Sequence, residues 1–386
     1  MDYFLTEDQR DLLTGLEKTL EPFDDAYWLD HDRSGEFPEE FYQAMAQGGW
    51  LGIATPEEMG GGGLGVVEAA LMMEAVAKKG GMTAASAIHV NIFGPGSLMK
   101  HASEDQQRRW VQPLLTGHQR MCFGVTEANV GLDTTRLKTR AVKDGNKYVI
   151  NGAKCWTTTA QVSDKIMLLA RTDGRDDKNP TGGLSMFYTD LDRSAVDIRK
   201  IEKMGRHAVD TNELFITDLE VPPEDLVGEE GMGFRYIIDS LNPERILVAI
   251  EAIGIATSAL ERAVAYAKER VVFERPIGMN QSIQHPLADG WARLEAARLL
   301  CLKAAALSDA GQPCGVEANA AKYLAAETGM DVVRTAMATH GGMGYAREFH
   351  IERYFREMAI PYLVPVSQQL ALCFVAERGL GLPKSY

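Results

Sequence analysis

The chain changes texture twice, and this limits the folds open to it more than any single motif. Residues 1 to about 115 carry apolar residues at i, i+3 and i+4, as in TEDQRDLLTGLEKTLEPF and GVVEAALMMEAVAKK. That spacing predicts helices with one buried face. From about 119 to 222 the pattern becomes short β-rich runs: MCFGVT, KYVINGAKCWTTT, KIMLLART, GLSMFYTDL and NELFITDLEV. Turn signals such as VKDGNKYVI and RTDGRDDKNPTGG separate them. From about 229 onward long helices return, including ATSALERAVAYAKERVVF and the Ala-, Glu- and Leu-rich EANAAKYLAAETGMD. The expected layout is a helical domain over 1–118, a middle β domain over 119–228 and a C-terminal helical domain over 229–386. A doubly wound sheet is excluded, because it needs strands and helices in alternation.

With 386 residues, 45% of them hydrophobic, the chain can build two or three domains with substantial cores. A net charge of −14 argues against a nucleic-acid partner, whose phosphates would be repelled. The sequence has no 18-residue apolar run, and its opening, MDYFLTEDQRDLL, is acidic where an export signal is basic and then apolar. A soluble, cytoplasmic protein with no membrane span is therefore expected. Its five cysteines are scattered without C-x-x-C spacing, and its eight histidines form no H-x-x-x-H or H-E-x-x-H, so no metal site is expected. The glycine-rich EEMGGGGLG, 57–65, lacks both the strand context and the G-K-[ST] ending of a phosphate loop, and reads as a turn before a helix.

In NPERILVAIEAIG, 242–254, Asn242 is a good N-cap, Pro243 suits the first helical position, and Ile246, Leu247, Ala249 and Ile250 repeat at helical spacing. Two roles stand open for Glu244. It can meet the positive end of a helix dipole, for about 0.3–1 kcal/mol, or it can do chemistry.

Four segments, in order, resemble one family. CFGVTEANVGLD (122–133) resembles the flavin-contacting T-E-P-G-A-G-S-D segment of acyl-CoA dehydrogenases, and NGAKCWTTTA (151–160) their N-G-x-K-x-W-I-T-N. RVVFERPIGMNQSIQHPLAD (270–289) resembles their R-x-x-F-G…Q…L-A-D, and HGGMGYAREFHIERYFRE (340–357) their G-G-x-G-Y…E-R-x-x-R-D. Weaker echoes are EKMGRHAVDTNELFITDLEVP (202–222) and TPEEMGGGGLG (55–65), so the resemblance spans essentially the whole chain. It implies a mainly α fold: an N-terminal helical domain, a β-barrel-like middle domain and a C-terminal four-helix bundle.

The resemblance also implies FAD and an acyl-CoA substrate. On the matched positions, Val125 and Thr126 would lie along the isoalloxazine, with Gly131 in the same loop. Trp156 would be its aromatic wall, with Thr157 and Thr158 near its polar edge. Arg270, Phe273 and Gln281 match residues that reach the adenine-diphosphate half of a neighbouring subunit's FAD, and Gly341 and Gly342 match backbone that admits the same cofactor closely. A homo-oligomer, in this family commonly a tetramer, follows. So do an electron-transferring flavoprotein as partner and a place in fatty acid β-oxidation. Ala128, Asn129, Leu132, Glu274 and Ala338 depart from the family pattern, and Leu132 stands at a substrate-facing serine.

The family's reaction needs one carboxylate over the substrate Cα. Most members carry it late in the chain, in Y-E-G-T. Here the matching stretch is LVPVSQQL, with Pro365 where the glutamate would stand. A minority branch, the isovaleryl- and long-chain-type enzymes, carries it in L-x-x-E-R instead, which LNPER, 241–245, matches. Glu244 is thereby the expected base, and Asn242 and Arg245 match positions that bind the CoA portion or fix the loop. Proline has no N–H to offer a thioester oxygen. Val364 or Val366 is therefore the expected backbone donor, in a register where Ser367 aligns with the family's cofactor-side serine. Rival readings are an enoyl-CoA reductase, a flavin oxidase or hydroxylase, and a non-catalytic acyl-CoA-binding subunit.

Overall fold

The structure, a computed structural model, describes residues 5–385; the first four residues of the acidic opening and Tyr386 lie outside the described residues. Six helices come first: α1 (Glu7–Leu20), α2 (Asp25–Ser34), α3 (Glu39–Gln47), α4 (Val66–Phe93), α5 (Pro95–His101) and α6 (Glu104–Leu115). Several start where side chains absorb the orphan amides of a first turn. Thr6 with Gln9, and Ser103 with Gln106, form capping boxes, and Asp24 accepts from the Tyr27 amide. The glycine-rich tract is an ordered turn, tied back by Gly62 N to Gly52 O and Gly63 N to Thr55 O, and α4 begins at its end.

α4 is kinked at Gly81, whose φ is 78°. The second half restarts against a buried carboxylate: Glu357 accepts from the Thr83 amide (3.2 Å) and the Thr83 hydroxyl (2.5 Å). A Cβ at position 81 would stand 2.4 Å from Glu357 Oε2, so this bend requires glycine.

The middle segment forms one curled sheet from β1 (Met121–Gly124), β2 (Arg140–Asp144), β3 (Lys147–Thr158), β4 (Lys165–Arg171), β5 (Leu184–Asp190), β6 (Val196–Lys200) and β7 (Thr211–Val221). The order is β1-β4-β2-β3-β7-β6, with β5 also paired to β4. Its own core, which includes Ile150, Ile166, Leu168, Phe187 and Leu214, is separate from the helical one. Register shifts between Ile150 and Gly152 and between Lys154 and Thr157 bend β3.

Helices return as α7 (Gly233–Glu269), then a hairpin of β8 (Val271–Val272) and β9 (Arg275–Pro276), then α8 (Gln281–Asp309), α9 (Gly315–His340), α10 (Ile351–Leu363) and α11 (Gln368–Phe374). α7 packs on α8, α9 and α10, and also on α4 from the first domain. Small residues allow close approach: a Cβ on Gly254 would meet Glu74 O at 2.4 Å. Among the described residues no single helix is long and apolar enough to cross a membrane.

One expectation is corrected. Asn242 does not cap a helix and Pro243 is not a first helical residue; α7 already starts at Gly233, and Pro243 lies inside it. Tertiary packing overrides the local start signal. Tyr236, Ile237 and Ser240 are buried, and Ser97 Oγ on α5 donates to Tyr236 O (3.0 Å) and lies 2.6 Å from Ser240 Oγ.

Candidate active site

Glu244 lies in the interior of α7, three turns from its start, so the dipole role is not available to it. The antiparallel crossing of α7 and α4–α5 fixes what it faces. Ser240 meets Ser97, and Glu251 meets His89 with Oε1 2.6 Å from the imidazole Nδ1. Glu244 lies between these two cross-links. Burial raises its pKa above the ordinary carboxylate value; the charges of His89 and Arg245 oppose the shift, and Glu251 adds to it. For His89, burial works against the charged ring, but Glu251 outweighs it and holds the pKa above 6.5.

Arg245 donates from Nη1 to Asn242 Oδ1 (2.9 Å), while its Nε is buried without a partner. The stretch 364–368 is held by Lys322, a fully buried lysine on α9 that donates to Val366 O (2.6 Å) and Gln368 Oε1 (2.8 Å). Burial takes Lys322 down to about 8. Of the two expected backbone donors, Val364 is spent as the C-cap of α10, its amide bonded to Ile360 O (2.9 Å). Ser367 Oγ accepts from Leu370 N and caps α11.

The residues expected along a flavin ring come together. Cys155 N donates to Thr126 O (2.9 Å), and Lys154 Nζ donates to Val125 O (3.2 Å), so the loop after β1 is laced to β3. Beneath it Glu127 accepts from Lys154 Nζ (3.0 Å) and from the amides of Lys138 (2.6 Å) and Thr139 (2.9 Å). The bulge after Lys154 puts Trp156 at φ 60° and turns its indole outward, 60% exposed. Thr157 is buried with Oγ1 unpartnered, and Thr158 beside it is half-buried. Gly131, at φ 57°, and Leu132 lie exposed in the same loop.

A second group gathers at the far end of α7. Arg270 is its C-cap, Phe273 is 94% exposed in the hairpin at φ 50°, and Gln281 opens α8. Tyr266 stacks on His340 (4.4 Å), which brings the turn holding Gly341 and Gly342 to the same end; both glycines face open space. The 26 residues from Glu244 to Arg270 are continuous helix up to the cap, about 39 Å of rise.

Sequence reasoning missed His89, Ser86, Glu251 and Arg206. Glu251 carried a signal: it stands seven residues after Glu244, on the same helical face. His89, Ser86 and Arg206 belong to other segments; Arg206 lies in the 202–222 echo, but its spacing carries no sign of this role.

Most of the chain matches one family in three consecutive parts: the acyl-CoA dehydrogenase N-terminal domain over residues 6–118, the middle domain over 122–219 and the C-terminal domain over 231–365. The protein therefore belongs to the acyl-CoA dehydrogenase family, FAD-dependent oxidoreductases. It is 34% identical to a 3-(aryl)acrylate reductase of Clostridium sporogenes, covering 92% of this chain and 94% of that one. It is also 34% identical to the caffeyl-CoA reductase-Etf complex subunit CarC of Acetobacterium woodii, over 85% and 86%. Its fold matches butyryl-CoA dehydrogenase from Megasphaera elsdenii with a TM-score of 0.92 at 31% identity, over 98% and 100%. The residues present fit a flavin on two counts: a buried threonine hydroxyl lacks a partner at Thr157, and a flat indole is displayed to solvent at Trp156.

Proposed function

We propose that the protein catalyses α,β-dehydrogenation of an acyl-CoA thioester, with Glu244 as the base. The carrying observation is a carboxylate in the helix interior, desolvated enough to raise its pKa and set between the two α4–α5 cross-links. A base poised toward neutrality serves proton abstraction well. Glu244 takes the proton from Cα as the Cα–Cβ double bond forms. FAD, when bound, supplies the two-electron acceptor for the hydride leaving Cβ.

Val125, Thr126, Gly131, Trp156, Thr157 and Thr158 are the residues we assign to the flavin, with Ser367 at the adjacent loop. Asn242, Arg245 and Leu132 are assigned to the CoA thioester, and the Val366 amide, which has no partner among the described residues, to its oxygen. Arg270, Phe273, Gln281, Gly341 and Gly342 are assigned to the FAD of a second copy. A separation of about 39 Å from the base is too long for one flavin to touch both groups in one chain. A tetramer and an electron-transferring flavoprotein acceptor complete the reading, the latter supported by the Etf complex to which the CarC relative belongs.

A second reading, enoyl-CoA reduction, is favoured by the reductases among the relatives and by the same raised pKa, since a protonated Glu244 can deliver a proton to Cα. Anaerobic mixing separates the two. Under the leading reading, a panel of acyl-CoAs bleaches the oxidised flavin. Under the second, enoyl-CoAs restore the colour of reduced flavin and acyl-CoAs leave oxidised flavin unchanged. A protein inert in both directions overturns the enzymatic assignment.

A further inference from the structure

Inward from Glu244, α7 runs through the buried residues Ile246 to Ala256, so an acyl tail entering past the base proceeds toward Glu251, two turns or about 10.5 Å farther along. The side chains gathered around Glu251 are not aliphatic. His89, beside Phe93 on α4, uses Nδ1 on Glu251, while its Nε2 has no hydrogen-bond partner among the described residues. One turn before it, Ser86 Oγ accepts from Arg206 Nη1 (2.9 Å), a guanidinium reaching in from the loop between β6 and β7.

Arg206 is the anomaly. Its backbone sits at φ 53°, its Nε is buried with no partner, and no carboxylate among the described residues forms an ion pair with it. The acids whose charge it feels are engaged elsewhere. Glu357 is bound to Thr83 and paired with Arg353, Glu251 is paired with His89, and Asp210 accepts from the Gln161 amide. A half-buried cation with a desolvated Nε and no anion of its own is costly, and a guanidinium with free N–H groups is shaped to receive a carboxylate in a bidentate fashion.

We infer that the acyl site ends in a donor pair, Arg206 and His89, and that it takes acyl chains ending in a carboxylate, the mono-CoA thioesters of short dicarboxylic acids. This rests on the acyl-CoA reading above and deepens it by naming the substrate class. A site built to hydrogen-bond a substrate group rejects the analogue lacking it, because its own buried donors are then left unpaired. Glu251 supports the pair by holding the imidazole in place and does not itself touch the ligand.

The test is equilibrium binding to the FAD-loaded protein, by calorimetry, which does not depend on reaction direction. Glutaryl-CoA and adipyl-CoA are compared with pentanoyl-CoA and hexanoyl-CoA. Wild-type protein is expected to bind the carboxylated member of each pair at least about tenfold tighter. Arg206→Met is expected to abolish or invert that preference. Should that variant fail to fold, Arg206→Lys, which keeps the charge but loses the planar fork, is expected to narrow the preference. Equal or weaker binding of the carboxylated thioesters by wild type, or an unchanged preference in the Arg206 variant, overturns the inference. Binding of none of the four thioesters instead removes the acyl-CoA reading beneath it, and this inference with it.

Discussion

Lys154 and Glu127 form an ion pair that is almost wholly out of solvent, 3.0 Å from Nζ to Oε1, and the same ammonium holds Val125 O. One cation thus ties the loop after β1 to the strand that displays Trp156. Burial takes this lysine down to about 8 in spite of its partner. Removing one side of such a pair strands the other. Lys154→Met is expected to cost about 3–5 kcal/mol and to loosen FAD retention. Calorimetric melting and the flavin-to-protein absorbance ratio check this. Unchanged stability and full flavin occupancy would count against a positioning role for the pair.

Glu244→Gln is nearly isosteric and sits mid-helix, so the fold is expected to persist. Loss of the base is expected to slow substrate-dependent flavin reduction at least about 10²-fold, with thioester binding retained. Single-turnover absorbance at the flavin band measures it. Because the folded pKa is raised, the wild-type rate should climb with pH through a value above the usual carboxylate range, and the reverse, proton-donating reaction should fall over the same interval. A pH-independent rate in wild type would show that another group takes the proton.

The His89–Glu251 contact makes stability depend on pH in a definite direction. The folded pKa of His89 lies above the ordinary imidazole value of 6.5, so the contribution of the pair is fully present below that value and is lost as pH rises through the folded pKa. The difference in melting temperature between wild type and His89→Gln should therefore shrink from acidic to alkaline buffer. A constant difference would mean that the ring contributes by packing alone.

Phe273, 94% exposed at a strained backbone position, and Arg270 beside it have little to do in a lone chain. Phe273→Asp together with Arg270→Ala is expected to shift the protein toward smaller species and to release FAD in the same step, since ligand binding and assembly are linked. Light scattering with flavin fluorescence follows both. A smaller species that keeps its FAD would separate the two and remove the cross-subunit assignment.

The helix–sheet–helix layout was legible because each segment carries its own period, 3.6 or 2, along many residues. The pairing of Thr126 with the strand around Trp156 was legible only through the family resemblance. The start of α7 was misread because Asn242 and Pro243 are good local start signals, while the preceding turns are held by contacts with Ser97, some 140 residues away in sequence. Of the proposed distal end of the acyl site only Glu251 was legible, through its spacing from Glu244. Ser86, Arg206 and Glu251 come from three distant segments, and no local pattern records that a loop of the sheet domain reaches between two helices.

Considered mechanically, α7 is a beam about 55 Å long. It is seated at one end where Gly233 lies against the backbone of Ser185 and Met186, pinned in its middle where Gly254 crosses α4, and tied at its far end to α9 through Tyr266 and His340. Pro243 removes one of the lateral ties along it, because it has no amide to give to the carbonyl four residues back. A beam held on both sides of one weakened joint bends at that joint. The joint adjoins Glu244, so the one lateral tie missing from the rod lies beside its buried carboxylate.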